Sequence, residues 1–344
     1  MRPQAKPSMK KLGSLQPVKI KSASASLVRT QPLHPGCALP LLIQATVAGL
    51  KLEKWCAGNK DFLEEKLLEH GAVLFRNFIV GSANEFEGVI EAVSGSLLKY
   101  TYQSTPRTRV EGKIYTSTEY PPDQSIPMHN EMSYSRSWPL KLWFFCKKAA
   151  PEGGHTPLAD SRKVYENIDP EVRECFRRRR VMYVRNYGTT LDLPWQQVFQ
   201  TEEKGEVERF CRGAGIEIEW RDGDRLKTWQ ICQAVADHPK LGTRLWFNQA
   251  HLFHVSSLQA EIRESLLASI SEEELPRNSF YGDGSSIETG VLDHIRRVYD
   301  EQQARFPWQD NDVVLVDNML TAHGRTPYSG SRNVLVGMAE PYEA

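Results

Sequence analysis

The run Leu-Lys-Leu-Trp-Phe-Phe-Cys from Leu140 restricts the possible folds more than any other stretch of the chain. Successive side chains of a β-strand point to opposite faces, so a strand with one wet face alternates apolar and polar residues. Here the apolar residues continue without that alternation, and the segment is expected as a central strand covered on both sides. Other strand patterns occupy residues 72–78, 181–187, 216–220, 245–248, 313–316 and 332–336. Helical spacing places Phe62, Leu63, Leu67 and Leu68 on one side of a helix over 61–70, with Gly71 as its stop. Ser82 and Glu85 form a capping box ahead of Phe86, Val89, Ile90 and Val93. Two more helices are expected near 257–273 and 286–303. Many strands with few strand–helix–strand periods predict a mainly antiparallel β core with helical additions, an α+β chain.

Charged residues make up 25% of the chain and its formal net charge is zero, so no global field favours nucleic acid or an anionic membrane. No apolar run approaches the ~18 residues of a membrane-spanning helix. The six cysteines (Cys37, Cys56, Cys146, Cys175, Cys211 and Cys232) are scattered without a C-x-x-C pair, which predicts reduced thiols rather than a disulfide frame or zinc site. The first acidic residue is Glu53, while Ser, Thr, Pro, Lys and Arg are frequent before it. Residues 1–35 therefore read as a basic, acid-free leader, either disordered or a transit peptide. Residues 36–344 read as one domain. The expected location is cytoplasmic, or plastid or mitochondrial if the leader directs import.

The chemistry concentrates in Ile-Pro-Met-His-Asn-Glu-Met from Ile126. His129 and Glu131 are two apart, and in an extended strand such residues share a face. An imidazole and a carboxylate supply two ligands of the 2-His-1-carboxylate triad that holds non-haem Fe(II) with open positions. His323, in Asp-Asn-Met-Leu-Thr-Ala-His-Gly-Arg from Asp317, is the candidate third ligand, just beyond the strand-like run at 313–316. Arg332 opens the next strand and is placed to pair with the carboxylate of a cosubstrate.

Four blocks in this order resemble the TauD/TfdA family of Fe(II)/2-oxoglutarate-dependent dioxygenases, in its clavaminate synthase-like branch. They are Ile-Pro-Met-His-Asn-Glu from Ile126, Glu-Gly-Gly-His-Thr-Pro-Leu-Ala-Asp from Glu152, Leu-Trp-Phe-Asn from Leu245, and the stretch from Asp317 to Arg332. The resemblance spans roughly residues 40–340. It implies a double-stranded β-helix, or jelly roll, with helical additions. It implies His129, Glu131 and His323 as the iron ligands, with Glu131 where many members have Asp. Arg332 would clamp the distal carboxylate of 2-oxoglutarate, with Thr156 bonded to the same end; Arg325 is the competing arginine. The implied reaction consumes dioxygen and 2-oxoglutarate, releases succinate and CO2, and hydroxylates or desaturates a small carboxylated or amino-acid-like metabolite. A homo-oligomer is compatible with this reading, whereas nucleic-acid and membrane partners are not expected.

Other readings compete for the same residues. A non-catalytic relative would be expected to lose part of the constellation, and a cupin-type metalloprotein with zinc or manganese would have no need of a carboxylate clamp. His251 and His254 are three apart but lack a carboxylate at defined spacing, and His155 reads as surface or flanking. His34, His70, His238 and His294 have no organising context. Arg177–Arg180 reads as the solvated end of a helix. Trp143, Phe144, Trp246 and Phe247 could wall the site, although aromatic strand residues more often fill a core. Substrate selectivity is assigned to loops at 100–125, 188–215 and 275–290.

Overall fold

The computed structural model describes residues 27–34, 36–98, 107–117, 120–188 and 192–343. Ser137–Lys148, which contains the long apolar run, lies inside an eight-stranded sheet. The strand order is Val28–His34, Cys37–Ala45, Ala72–Arg76, Val313–Asp317, Ser137–Lys148, Asn333–Glu343, Ile114–Thr116 and Arg109–Glu111. Every pairing is antiparallel except Cys37–Ala45 with Ala72–Arg76. A four-stranded sheet, Gln303–Ala304, Leu158–Asp160, Thr321–Arg325 and Ile126–His129, faces it.

Two-sided burial explains the apolar run. Leu142, Phe144 and Cys146 point toward the smaller sheet and pack with Leu158, Phe306 and Val314. Trp143 and Phe145 point the other way, against Leu63, Leu67, Phe86 and Ile90 of the N-terminal helices. These two layers around one large sheet, closed by the smaller one, form the jelly-roll core with helical additions.

Those helices are Lys60–His70 and Ala83–Ser94. The first stops at Gly71, whose φ of 79° and N–H bond to the Leu67 carbonyl end the turn. The second is capped by Ser82 Oγ, which accepts from the Glu85 N–H. Glu85 in return accepts from the N–H of Gly81 rather than of Ser82. A third sheet, Glu217–Arg221, Arg225–Cys232, Val181–Tyr187 and Arg277–Tyr281, is carried by the insertion between the first and last core strands. Its apolar side shares a core with Met128 and Ala322 of the smaller sheet.

Several local expectations shift. Val28–His34 pairs with Cys37–Ala45, so residues 28–34 belong to the fold and not to a disordered leader; residues 1–26 lie outside the described residues. The polar stretch at 100–128 holds a hairpin, Arg109–Glu111 with Ile114–Thr116, that extends the large sheet. The helix expected over 257–273 is Ala260–Ser269, flanked by one-turn 3₁₀ segments at Val255–Ser257 and Glu272–Glu274. It buries none of its residues, so no packing extends it. The strand expected at 245–248 is Arg244–Trp246, and the last helix is Thr289–Gln302. Cys56, Cys146, Cys211 and Cys232 are buried free thiols, and no helix among the described residues is long and apolar enough to cross a membrane. Arg177 and Arg179 end the helix Pro170–Arg179 and pair with Glu174 and Asp283.

The central strand sets the stability. Trp143 is fully buried, stacks on Phe75 at 6.2 Å between ring centres, and donates from Nε1 to Ser94 Oγ at 3.1 Å. Trp143→Ala should lower unfolding stability by ~3–5 kcal/mol, the cost of a large core truncation. Equilibrium urea unfolding of the two proteins measures it; a loss under ~1 kcal/mol would mean the site collapses around the gap.

Candidate active site

His129 is the last residue of Ile126–His129, and His323 lies in Thr321–Arg325. The two strands are antiparallel neighbours whose register puts His323 directly opposite His129, with ring centres 4.4 Å apart. Glu131 arrives differently from the expectation. The strand ends at His129, and Glu131 stands in the following turn rather than two places along a pleat. One donor atom from each of His129, Glu131 and His323 lies within 4.8 Å of the others, the one such group of His, Cys, Asp or Glu among the described residues.

The turn is held by Asn318. Its Oδ1 accepts from the Glu131 N–H at 2.7 Å, and its Nδ2 donates to the carbonyls of Glu131 and Pro139 at 2.9 and 2.8 Å. Asn130 completes the junction, donating to the Asn318 carbonyl at 2.7 Å and to Ser161 Oγ at 3.1 Å. Asp317 caps the next turn by accepting from the N–H groups of Met319 and Leu320. Its other oxygen meets Nε2 of buried His238 at 3.0 Å. His238 therefore does have an organising role: it braces the turn that starts the His323 strand.

The donor set suits a metal. His129 Nδ1 lies 2.9 Å from the Pro127 carbonyl, which selects the tautomer that leaves Nε2 as a lone-pair donor. His323 Nδ1 is buried with no hydrogen-bond partner among the described residues. Burial pushes the pKa of His323 well down and lowers that of His129, which favours the neutral imidazoles that ligation requires. Two imidazoles and a carboxylate fit ferrous iron with coordination positions left over.

A narrow pocket runs from the histidines to Arg332, bordered by Phe144, Thr156, Arg325 and Ser117. Arg332 Nε donates to the Gly154 carbonyl at 3.0 Å and Nη1 to Ser117 Oγ at 3.3 Å. Burial, and then the neighbouring Arg325, lower the Arg332 pKa to about 10, so it stays cationic at neutral pH. Gly154 has φ of 64°, and a Cβ there would come within 2.9 Å of Arg332 Cδ, so only glycine lets the arginine lie along this loop. Thr156 Oγ1 accepts from Trp308 Nε1 at 3.0 Å. Arg325 borders the same pocket, but its guanidinium donates to the carbonyls of Tyr120, Pro121 and Gln124. It ties down a loop.

On the other side of His129 and Glu131 opens a cavity of ≈ 690 Å³. Its walls come from residues 120–127, from Gln249, Leu252 and Phe253, from Leu258 and Ile262, and from Arg277. The expected loops at 100–125 and 275–290 thus contribute. The 188–215 loop instead acts through Asp192, which pairs with Arg277, and much of the wall comes from residues 249–262.

Arg107 lies in the 100–125 loop, and no motif singles it out there. Its Nη2 donates to Glu131 Oε2 at 2.7 Å, with both side chains 4% exposed. A lone arginine in a polar loop carries no pattern that marks it. Of the aromatic candidates, Phe144 borders the site, 5.1 Å from His323 between ring centres. Trp143, Trp246 and Phe247 fill cores instead. His251 and His254 form no metal pair: His251 bonds the Met128 carbonyl, and His254 bonds Ser256. His155 borders neither cavity, His294 accepts from the Asp169 N–H, and His70 sits beside Glu69.

This geometry defines an Fe/2-oxoglutarate-dependent oxygenase on a jelly-roll core, and the comparisons agree. The family described as taurine catabolism dioxygenase TauD, TfdA family matches residues 29–339, and the chain belongs to it. The chain is 37% identical to the dapdiamide synthesis protein DdaC of Enterobacter agglomerans, over 90% of this chain and 94% of that one. It is 31% identical to a clavaminate synthase-like protein of Arabidopsis thaliana, over 94% and 93%. Among solved structures, PvcB of Pseudomonas aeruginosa, described as an Fe, alpha-ketoglutarate dependent oxygenase from an isonitrile synthetic pathway, shares the fold. Its TM-score is 0.54 at 14–15% identity, over 95% of each chain.

Two outcomes follow from the site. Asn318→Ala leaves the buried Glu131 N–H and carbonyl without these partners, so unfolding stability should fall by ~2–3 kcal/mol. If the triad holds the metal, Fe(II) affinity should weaken ~10–100-fold as the turn carrying Glu131 loosens; thermal melts with and without Fe(II) read both. The second concerns acid. Burial lowers the His251 pKa from its ordinary 6.5 to about 3. Between those values the unfolded chain binds more protons than the folded protein, so stability rises with pH and is lost as the solution is acidified below ~6.5, by up to ~1.4 kcal/mol per pH unit. Urea unfolding at several pH values should show that slope, and it should be shallower in His251→Gln.

Proposed function

We propose that His129, Glu131 and His323 hold ferrous iron, and that Arg332 with Thr156 holds the distal carboxylate of 2-oxoglutarate. The observation that carries this reading is the continuous pocket from the two histidines to Arg332. A dicarboxylate can place its 2-oxo acid end at the metal and its other end on the guanidinium and the Thr156 hydroxyl. Arg332 rather than Arg325 takes the clamp, because the Arg325 guanidinium is engaged with three loop carbonyls.

Bound iron would supply the oxidation: dioxygen and 2-oxoglutarate are consumed, succinate and CO2 are released, and a C–H bond of the primary substrate is attacked. The protein's own side chains do the rest. His129 is held as a neutral donor by the Pro127 carbonyl. Glu131 is kept in place by Asn318 and Arg107. Phe144 excludes water beside His323. The primary substrate occupies the ≈ 690 Å³ cavity, which suits a small metabolite. A carboxylated or amino-acid-like compound is the class proposed, in line with the relative named for dapdiamide synthesis. Hydroxylation is the default outcome, with desaturation as the alternative.

Anaerobic titration of the Fe(II) protein with 2-oxoglutarate should raise a weak visible charge-transfer band near ~500 nm, expected of chelation at an open ferrous site. Arg332→Ala should need ~10–100-fold more 2-oxoglutarate for half-saturation, the loss of one charge-assisted contact pair. Glu131→Ala should give no band. A wild-type protein that binds Fe(II) without the band would remove 2-oxoglutarate from the reaction and favour a cupin-type metal site.

A further inference from the structure

A third cavity, of ≈ 290 Å³, lies against the strand Ile126–His129 but is bordered by none of His129, Glu131 and His323. The last helix, Thr289–Gln302, contributes Arg296, Tyr299 and Asp300 to its wall. Three polar atoms on residues bordering it are buried without a hydrogen-bond partner among the described residues. They are Nδ1 of His251, the hydroxyl of Tyr299 and Nε of Arg325. His251 and Tyr299 are each 2% exposed, and their rings stack at 4.8 Å between centres. A buried polar atom left unpaired costs ~1–3 kcal/mol, so three around one cavity favour a ligand that pairs them.

The chemistry that each group lacks can be read from its neighbours. His251 Nε2 lies 3.0 Å from the Met128 carbonyl and therefore carries the proton, which leaves Nδ1 a bare acceptor. The terminal nitrogens of Arg325 donate to loop carbonyls, which leaves its Nε–H as a donor. Arg296 is engaged with the His251 carbonyl, Asp293 and Ser256. At the rim, Asp300 and Arg305 are exposed and of opposite charge, and neither forms an ion pair among the described residues. Gln303 stands between them: its Nε2 lies 3.4 Å from Asp300 Oδ1, and its Oε1 accepts from Arg305 Nε at 3.0 Å. Met128 and Pro157 add a buried apolar surface.

We propose that this cavity is a second small-molecule site, separate from the metal centre, and that it takes a free α-amino acid with a compact apolar side chain. The ammonium supplies the donor that His251 Nδ1 lacks and has Asp300 as its counter-ion. The carboxylate supplies acceptors for Arg325 Nε and the Tyr299 hydroxyl and has Arg305 as its counter-ion. The side chain rests on Met128 and Pro157, and the small volume limits its size. The site does not depend on the reaction proposed above.

The probes are L-valine, isovalerate, which lacks the ammonium, and isobutylamine, which lacks the carboxylate. Each is titrated calorimetrically into the full chain at neutral pH. Valine should bind at least ~10-fold more tightly than either analogue. Asp300→Asn should weaken valine ~10-fold and leave isovalerate unchanged, and Arg305→Gln should weaken valine and leave isobutylamine unchanged. Both residues are exposed, so the fold tolerates the changes. Tyr299→Phe should weaken valine without lowering the melting temperature of the unliganded protein, because the hydroxyl it removes is unpaired. Ile262→Asp, in the wall of the large cavity, should leave valine binding as it is. No binding of valine in the millimolar range, equal affinity for the three probes, or unchanged valine affinity in both rim variants overturns the site. Loss of valine binding in Ile262→Asp with the rim variants unaffected assigns the amino acid to the large cavity and overturns it as well.

Discussion

The carboxamide of Asn318 is the interaction on which the site depends. It sits just past Val313–Asp317, a strand buried on both faces, and accepts from and donates to the backbone of Glu131. A primary amide is matched to this task because it carries a donor and an acceptor side by side, so it can satisfy both the N–H and the carbonyl of one turn. Since Asn318 and Glu131 are fully or nearly fully buried, neither backbone group has water as a substitute. The turn carrying Glu131 is thereby fastened to the strand end that leads into His323. Position of the acid and position of the second histidine become one structural fact.

Around that junction the two sheets divide the labour. The large sheet is rigid because it is covered on both sides, by the N-terminal helices on one face and by the smaller sheet on the other. The smaller sheet places His129 and His323 opposite each other through its hydrogen-bond register, which fixes their separation more tightly than any loop would. The more open parts, residues 120–127 and 249–262, line the larger cavity, which the proposed function gives to the substrate. Histidines on paired strands with cavity walls on added segments is a division that lets a fold keep one reaction while changing its substrate.

Electrostatics then separates the roles of four arginines that look alike in the sequence. Arg325 is buried among loop carbonyls and shapes the wall. Arg277 is neutralised by Asp192. Arg332 lies along Gly154 at the closed end of the narrow pocket, and Arg107 meets Glu131 where the pockets join. What differs among them is the partner that burial allows each guanidinium, since a buried cation persists only where carbonyls, carboxylates or ligand anions replace its water.

Much of this was legible in the residues themselves. The unbroken apolar run from Leu140 and the other strand-like runs marked the β core, because the faces of a strand are a local property of the chain. The blocks around His129, Thr156 and His323 pointed to one chemistry, and the structure brings all of them to the same pocket. The sequence could not place Glu131, which lies in a turn and not on the pleat, since a partner 187 residues away fastens that turn. Nor could it select Arg107, separate Arg332 from Arg325, or give His238 its bond to Asp317. Each of those depends on which groups meet across the fold, and a single chain pattern carries no record of register or of distant partners. The sequence by itself determined the β architecture and the residues able to bind a metal. The tertiary structure decided which arginine faces a carboxylate, because burial leaves each buried charge only the partners that packing brings to it.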